Sequence, residues 1–267
     1  LEVKVIHSCD DNPYYLDFWK PISKIWKEVF NITPVLIHVG NKKVEDEYGE
    51  IHTITPDESL PIHTQAQLAR LWYPMKEPDV LWITSDIDMF PASKRWWRDN
   101  INHYMENKPT WTNLNSSIQE EYAGVYYPIC YNIALGKDFK KVLEVEDSFY
   151  DFVSRGIQET EVDNKHTPEN WDGPELTKWN VDEVLVTKKV RDSGVDTHLP
   201  PKDRHRRINR KECIKYGDNN EIVRFNCFDY TIEDLKNGWY HDCHSIRPYN
   251  SYKEEIEKVL SIVGEQE

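Results

Sequence analysis

Four short apolar runs mark the first third of this sequence: VKVIHS (3–8), TPVLIHVG (33–40), EIHTIT (50–55) and DVLWITSDIDMF (79–90). The stretches between them carry apolar residues at helical spacing. In residues 13–30 these are Leu16, Trp19, Ile22, Ile25, Trp26 and Phe30, and a second such pattern over 63–75 stops at Pro74. A helix from 91 to about 104 follows the fourth run. Strands that alternate with helices return to parallel neighbours and have their faces covered by the crossovers. The expected class is therefore α/β, with a mixed, mostly parallel central sheet flanked by helices. The second half is less regular, with strands expected over 109–114 and 124–136 and helices over 137–156, 180–194 and 252–263.

The fourth run ends in acid. Val80 to Thr84 reads as a strand buried on both faces, and it leads into Asp86 and Asp88. If the strand continues, residues i and i+2 share a side, so the two carboxylates converge while Ile87 points away. In open α/β sheets, ligands bind beyond the carboxyl ends of the strands. Two ionised carboxylates this close repel, and a divalent cation resolves the conflict. Hard Mn²⁺ or Mg²⁺ is the expected ion, because it shares oxygen ligands with substrate phosphates. Acid-x-acid spacing recurs at Glu45/Glu47, Glu159/Glu161 and Glu161/Asp163, but Asp86/Asp88 is the only Asp-x-Asp and the only such pair directly after a buried strand.

A net charge of −14 excludes most nucleic-acid partners, which need a basic footprint. The one dense basic run, KDRHRRINRK (202–211), reads first as a solvated loop and second as a holder of phosphate. Five cysteines, an odd number without CxxC spacing, point to a reducing compartment and no disulfide framework. The spacing of Cys213, Cys227, His241 and Cys243 is wrong for structural zinc. No apolar run approaches the ~18 residues of a membrane span. The expectation is a cytoplasmic protein. The sequons at Asn31 and Asn115, and a chain that begins at Leu1, leave a lumenal protein with an upstream anchor as the alternative.

TSDIDMF, placed after an apolar strand of an α/β domain, resembles the DXD motif of GT-A fold glycosyltransferases. Other elements of that family follow in order. YAGVYYPICYNIALG (122–136) fits the glycine-containing strand and loop, WNVDEVLV (179–186) supplies an acidic pair at a helix start, and WYHDCHSIRPY (239–249) offers a C-terminal histidine. The resemblance spans roughly residues 1–250, and the texture of the chain is similar to compact transferases of large algal viruses (chloroviruses).

The resemblance implies a Rossmann-like GT-A domain over 1–267, with a nucleotide-binding half (1–105) and an acceptor-binding half carrying the metal-histidine segment (106–267). It implies transfer from a UDP-sugar, with a lean to xylose or a deoxyhexose, onto a hydroxyl of a glycan or glycoprotein acceptor. Mn²⁺ or Mg²⁺ would be held by Asp86, Asp88 and His244, with Asp88 a direct ligand and His244 preferred over His241. Asp182, and after it Glu183, is the implied general base of an inverting reaction. The nucleotide would lie over the first strand ends, at His7, Ser8, Asp11 and Gly40, with Tyr14 or Tyr15 stacking on uracil. Gln67 and Arg70 share a helical face, and Arg70 would bridge the motif (Ser85, Asp86, Ile87, Asp88) and the donor sugar. Trp171 and Asp172 would shape the acceptor pocket.

Three rival readings keep the acidic pair, and one of them, a nucleotidyltransferase, would carry an N-terminal glycine-rich, basic loop that HSCDDNPYY (7–15) lacks. A haloacid-dehalogenase-type phosphatase would use Asp86 as nucleophile, but wants Thr or Val two residues after the second Asp and places the motif on its first strand; here that residue is Phe90, on a late strand. A non-enzymatic, metal-dependent carbohydrate-binding protein would be smaller and all-β.

Overall fold

The computed structural model describes residues 1–115, 117–119, 124–161, 180–198, 206–216 and 222–267. Its strands are β1 (Val3–Asp10), β2 (Thr33–Val39), β3 (Glu50–Ile54), β4 (Leu81–Thr84), β5 (Met89–Pro91), β6 (Trp111–Asn113), β7 (Ser117–Gln119), β8 (Gly124–Tyr126), β9 (Asn132–Leu135), β10 (Thr197–His198), β11 (Arg207–Ile208), β12 (Arg210–Tyr216), β13 (Ile222–Phe228) and β14 (Asp242–His244). Its helices are α1 (Pro13–Leu16), α2 (Trp19–Lys24), α3 (Ile62–Trp72), α4 (Lys94–Asn107), α5 (Gly136–Val142), α6 (Phe149–Glu161), α7 (Val181–Ser193), α8 (Ile232–Lys236) and α9 (Lys253–Gly264).

Seven strands form the central sheet in the order β10-β6-β9-β4-β1-β2-β3. All neighbours are parallel except β9, which runs against both β4 and β6. This is the mixed, mostly parallel sheet flanked by helices that the alternation implies. The central strands β1, β2 and β4 are buried almost end to end, which is why they read as continuous apolar runs. The tryptophans are largely core: Trp19, Trp26, Trp82, Trp97 and Trp111 are among the largest fully buried side chains.

Three elements differ from the sequence reading. The helix expected over 13–30 is broken into α1, α2 and a π turn, Ile25–Val29. Pro21 is the reason: it has no N–H and its ring clashes with the preceding turn, so it is accommodated in the first turn of a new helix. The helix expected over 137–156 is two, α5 and α6, separated by a loop in which Glu144 takes a left-handed φ of 52°. The strand expected over 124–136 is likewise two, β8 and β9.

α5 begins where it must meet the turn before β4. A Cβ on Gly136 would lie 2.2 Å from the Pro74 carbonyl oxygen and 2.3 Å from that of Glu77. Gly136→Ala therefore has to push backbone apart, and overpacking of this kind costs about 1–3 kcal/mol. A lowered urea midpoint with an unchanged m-value is the expected observation.

A second, three-stranded sheet, β11-β14-β5, lies beyond the end of β4. It brings residues near 207, 243 and 90 side by side. β12 and β13 form a separate hairpin in which Cys213 and Cys227 are joined as a disulfide, with Cα atoms 6.1 Å apart. The disulfide corrects the expectation of none, and it removes two of the residues weighed for zinc. The expectation failed because antiparallel pairing, and not local spacing, brings the two thiols together. Cys9, Cys130 and Cys243 are buried thiols.

Candidate active site

β4 stops at Thr84, and the chain turns instead of continuing as a strand: Met89 N–H donates to Asp86 O at 3.2 Å. Side-chain alternation therefore ends before the acidic pair. The strand geometry expected to bring Asp86 and Asp88 to one side with Ile87 on the other is corrected: the three residues lie in a turn and all line one cavity. The turn is fixed from below by His7, whose Nδ1 lies 3.2 Å from Asp86 O. Burial drives the His7 pKa down to about 3, so the ring is neutral and Nδ1–H donates to that carbonyl.

Asp86 belongs to a buried cluster around Arg70. Arg70 Nη1 donates to Asp86 Oδ1 at 2.6 Å and to Ser85 O at 2.9 Å, and Nη2 donates to Asp182 Oδ2 at 2.6 Å. Cys130 Sγ contacts the other Asp86 oxygen at 3.4 Å. α3 thus delivers one guanidinium to carboxylates from the β4 turn and from the first turn of α7. Burial pushes the Asp86 carboxyl up, but the Arg70 charge outweighs it and holds it below the usual carboxylate range. Burial prevails at Asp182, whose carboxyl is raised against the pull of Arg70. Asp182 Oδ1 accepts Glu183 N–H at 2.9 Å, so both of its oxygens are in use. Glu183 Oε1 accepts Ile129 N–H at 3.3 Å.

Asp88 stands one residue before β5, at the edge of the second sheet. β14 pairs with β5 so that His244 faces Met89, and Ser245 N–H donates to Asp88 O at 2.8 Å. This register brings His244 Nε2 to 3.4 Å from Asp88 Oδ2. Two guanidiniums approach the same oxygen, Arg247 Nε at 3.4 Å and Arg210 Nη1 at 3.9 Å. Arg247 is steadied by Tyr15, whose hydroxyl accepts from Nη1 at 2.7 Å, and by the rings of Tyr14 and Tyr15, each 5.2 Å away. The Arg210 pKa is lowered, first by burial and then by Arg247 beside it. Cationic charge is thus concentrated at this end, in a chain whose net charge is −14.

Both clusters open into one cavity of about 490 Å³. Of the residues anticipated from sequence, Ser8, Gln67, Arg70, Asp86, Ile87, Asp88, Asp182, Glu183 and His244 line it, as do Tyr14 and Tyr15. Four do not. His7 is fully buried beneath the motif, and Ser85 contributes its carbonyl to Arg70 from a buried position. Asp11 turns away to His38 Nε2, at 2.9 Å, and to the N–H groups of Asn41 and Lys42. Gly40 packs under that carboxylate with no room for a Cβ. Asp11 and Gly40 therefore close the β2 loop and do not form the cavity wall. His241 lies elsewhere, stacked on Trp96 at 4.6 Å. Trp171 and Asp172 lie outside the described residues. Arg210 and Arg247 also line the cavity. Arg210 sits in the basic run and Arg247 inside HSIRP, but neither has a spacing that marks it.

Among the described residues, no three His, Cys, Asp or Glu side chains converge as ligands for a metal ion. Of the expected set of Asp86, Asp88 and His244, Asp86 is hydrogen-bonded to Arg70 through Oδ1, and Asp88 and His244 meet directly. The remaining pair does fit a cation. A carboxylate oxygen and an imidazole nitrogen 3.4 Å apart are spaced close to the ~3 Å of adjacent ligands on an ion with bonds of about 2.1 Å. Such an ion keeps other positions for water and substrate phosphate. A carboxylate–imidazole set suits Mn²⁺ better than Mg²⁺.

No family model matches this sequence, and no curated protein matches it. Among solved structures it is similar to the galactosyltransferase LgtC in complex with donor and acceptor sugar analogues, at a TM-score of 0.46 and 11% identity, over 98% of this chain and 96% of that one. It is similar to mouse xyloside xylosyltransferase 1 in its apo form, at a TM-score of 0.39 and 8% identity, over 92% of this chain and 98% of that one. The bifunctional glycosyltransferase WbbM, also apo, gives a TM-score of 0.42 and 13% identity over 99% of this chain and 52% of that one. These likenesses, all below a TM-score of 0.5, leave the site to be read from its own residues.

Proposed function

We propose that this chain is a GT-A-type glycosyltransferase that moves a sugar from a UDP-sugar to a hydroxyl of a glycan or glycoprotein acceptor with the help of a divalent cation, Mn²⁺ before Mg²⁺. One observation carries the reading: Asp88 and His244, 156 residues apart in sequence, meet at the cationic end of a cavity whose other end is carboxylate-rich. Departure of a nucleoside diphosphate develops negative charge, and the bound cation would stabilise it as a Lewis acid. Arg210 and Arg247 supply fixed positive charge at the same end. Tyr14 and Tyr15 line the cavity beside Arg247, where a uracil ring would stack.

The carboxylate end suits the sugar and the acceptor. Asp182, the first choice for general base, has both oxygens engaged and holds Arg70 in place. Glu183, the next residue on α7, lines the same cavity and accepts Ile129 N–H through one oxygen, and we assign proton transfer from the acceptor hydroxyl to it. A phosphatase with Asp86 as nucleophile is not favoured, since Arg70 and Cys130 occupy that carboxylate.

The test is a panel of UDP- and GDP-sugars, with UDP-xylose and UDP-deoxyhexoses tried first, assayed for nucleoside diphosphate release with Mn²⁺ and with EDTA. Release from at least one UDP-sugar, dependent on the cation, is expected. Glu183→Gln should abolish transfer and spare UDP binding. No binding of any nucleotide sugar under either condition would falsify the reading.

A further inference from the structure

Beside the Asp88 end of the cavity lies a buried ion pair that does not line it. Arg207 Nε donates to both carboxylate oxygens of Asp242, at 3.0 and 3.1 Å, and Nη2 donates to Oδ2 at 2.8 Å. The Asp242 side chain is 0% exposed and that of Arg207 20%. Ion pairs buried this deeply gain little net stability, because desolvation offsets their attraction. Their use is better sought in what they hold in register.

That register is specific. β11 runs parallel to β14 with Arg207 opposite Asp242 and Ile208 opposite Cys243. β14 in turn pairs with β5, His244 opposite Met89. Asp242 and His244 are two residues apart on one strand, so they project from the same face, one pleat from each other. Arg210 lies three residues beyond Arg207, at the start of β12. Two strands clamped at 207 and 242 therefore deliver two side chains to the Asp88 carboxylate, His244 from β14 and Arg210 from the chain after β11. Main-chain bonds on either side, from His241 N–H to Arg206 O at 2.7 Å and from Ala92 N–H to His241 O at 2.9 Å, lock the clamp to β5, the strand that leaves Asp88.

We infer that the Arg207–Asp242 pair is a positioning device for the cation and diphosphate seat: its bidentate geometry sets where His244 and Arg210 stand relative to Asp88. The inference rests on the proposed reading of that seat. The fork geometry is what matters, since a guanidinium can hold both carboxylate oxygens at fixed angles and an ammonium cannot.

The experiment is calorimetric titration of UDP into the full chain at a series of Mn²⁺ concentrations, with thermal melting in parallel. The variants are Arg207→Lys and the apolar replacement Arg207→Met with Asp242→Leu. Replacing a buried ion pair by apolar residues of similar volume is often neutral for stability, so the double variant is expected to melt near the wild type. Its half-saturating Mn²⁺ concentration should rise by about 10- to 100-fold, the usual effect of removing a partner behind a metal ligand. Arg207→Lys, which keeps the charge and loses the fork, should fall between the two. A double variant or lysine variant that folds and shows the wild-type Mn²⁺ dependence overturns the inference alone. A wild type whose UDP binding ignores Mn²⁺ overturns the functional reading and the inference together.

Discussion

Arg70→Leu is expected to be the most destabilising single change at the site, by about 3–5 kcal/mol, the usual effect of breaking a buried pair by removing one partner. The guanidinium is 7% exposed and serves two carboxylates, Asp86 at 2.6 Å and Asp182 at 2.6 Å. Without it, Asp182, 4% exposed at its side chain, is left without its counter-charge, and Ser85 O loses its donor. For a chain of this size each kcal/mol is worth about 2–4 °C, so melting should fall by roughly 6–20 °C. The triple variant Arg70→Leu, Asp86→Asn, Asp182→Asn removes the orphaned charges with the guanidinium and should recover much of the loss, while remaining inactive. Differential scanning calorimetry checks both statements. An Arg70→Leu protein that melts with the wild type would show that the two carboxylates find other partners.

Asp88→Asn should have the largest effect on chemistry and a small one on folding. The side chain keeps its shape, and the backbone bond from Ser245 N–H to Asp88 O is untouched. What disappears is the carboxylate oxygen that His244, Arg247 and Arg210 all approach, at 3.4, 3.4 and 3.9 Å. Metal assistance to a leaving group is worth several kcal/mol, so transfer should fall by about 10³-fold. UDP binding in EDTA should persist or tighten in the same variant, because two guanidiniums no longer have a protein carboxylate to satisfy. That opposite movement of rate and metal-free affinity distinguishes a seat for cation and diphosphate from a merely structural aspartate.

How much of this was legible before the fold was known differs from element to element. The parallel strands announced themselves, because β1, β2 and β4 are buried on both faces and leave unbroken apolar runs. The Asp86/Asp88 pair was legible as a place, at the end of a buried strand, but not as a geometry. The turn after Thr84 depends on Asn132, whose N–H donates to Thr84 Oγ1 at 3.0 Å, and on Arg70, whose Nη1 donates to Ser85 O; neither partner is local. The phrase HSIRP marks His244 in the sequence, and the β14–β5 register explains how it reaches Asp88. Arg210 and Arg247 could not be told from other surface cations by spacing, since only the second sheet gathers them. The β12–β13 hairpin was within reach: GDNN (217–220) between two runs is turn chemistry. Asp11 and Gly40 are not distinguishable from ligand-facing residues in the sequence, because a strand end looks the same whether it faces a ligand or braces its neighbouring loop.

The central claim is that Asp88 and His244 together seat a cation that binds with the nucleotide. Calorimetric titration of UDP into the wild type, Asp88→Asn and His244→Ala, each in Mn²⁺ and in EDTA, tests it directly. The expected result is that Mn²⁺ tightens UDP binding to the wild type by at least about tenfold, ~1.4 kcal/mol, and that this increment vanishes in both variants while binding in EDTA remains. Equal affinity of the wild type in Mn²⁺ and EDTA, or a full Mn²⁺ increment in His244→Ala, would contradict it.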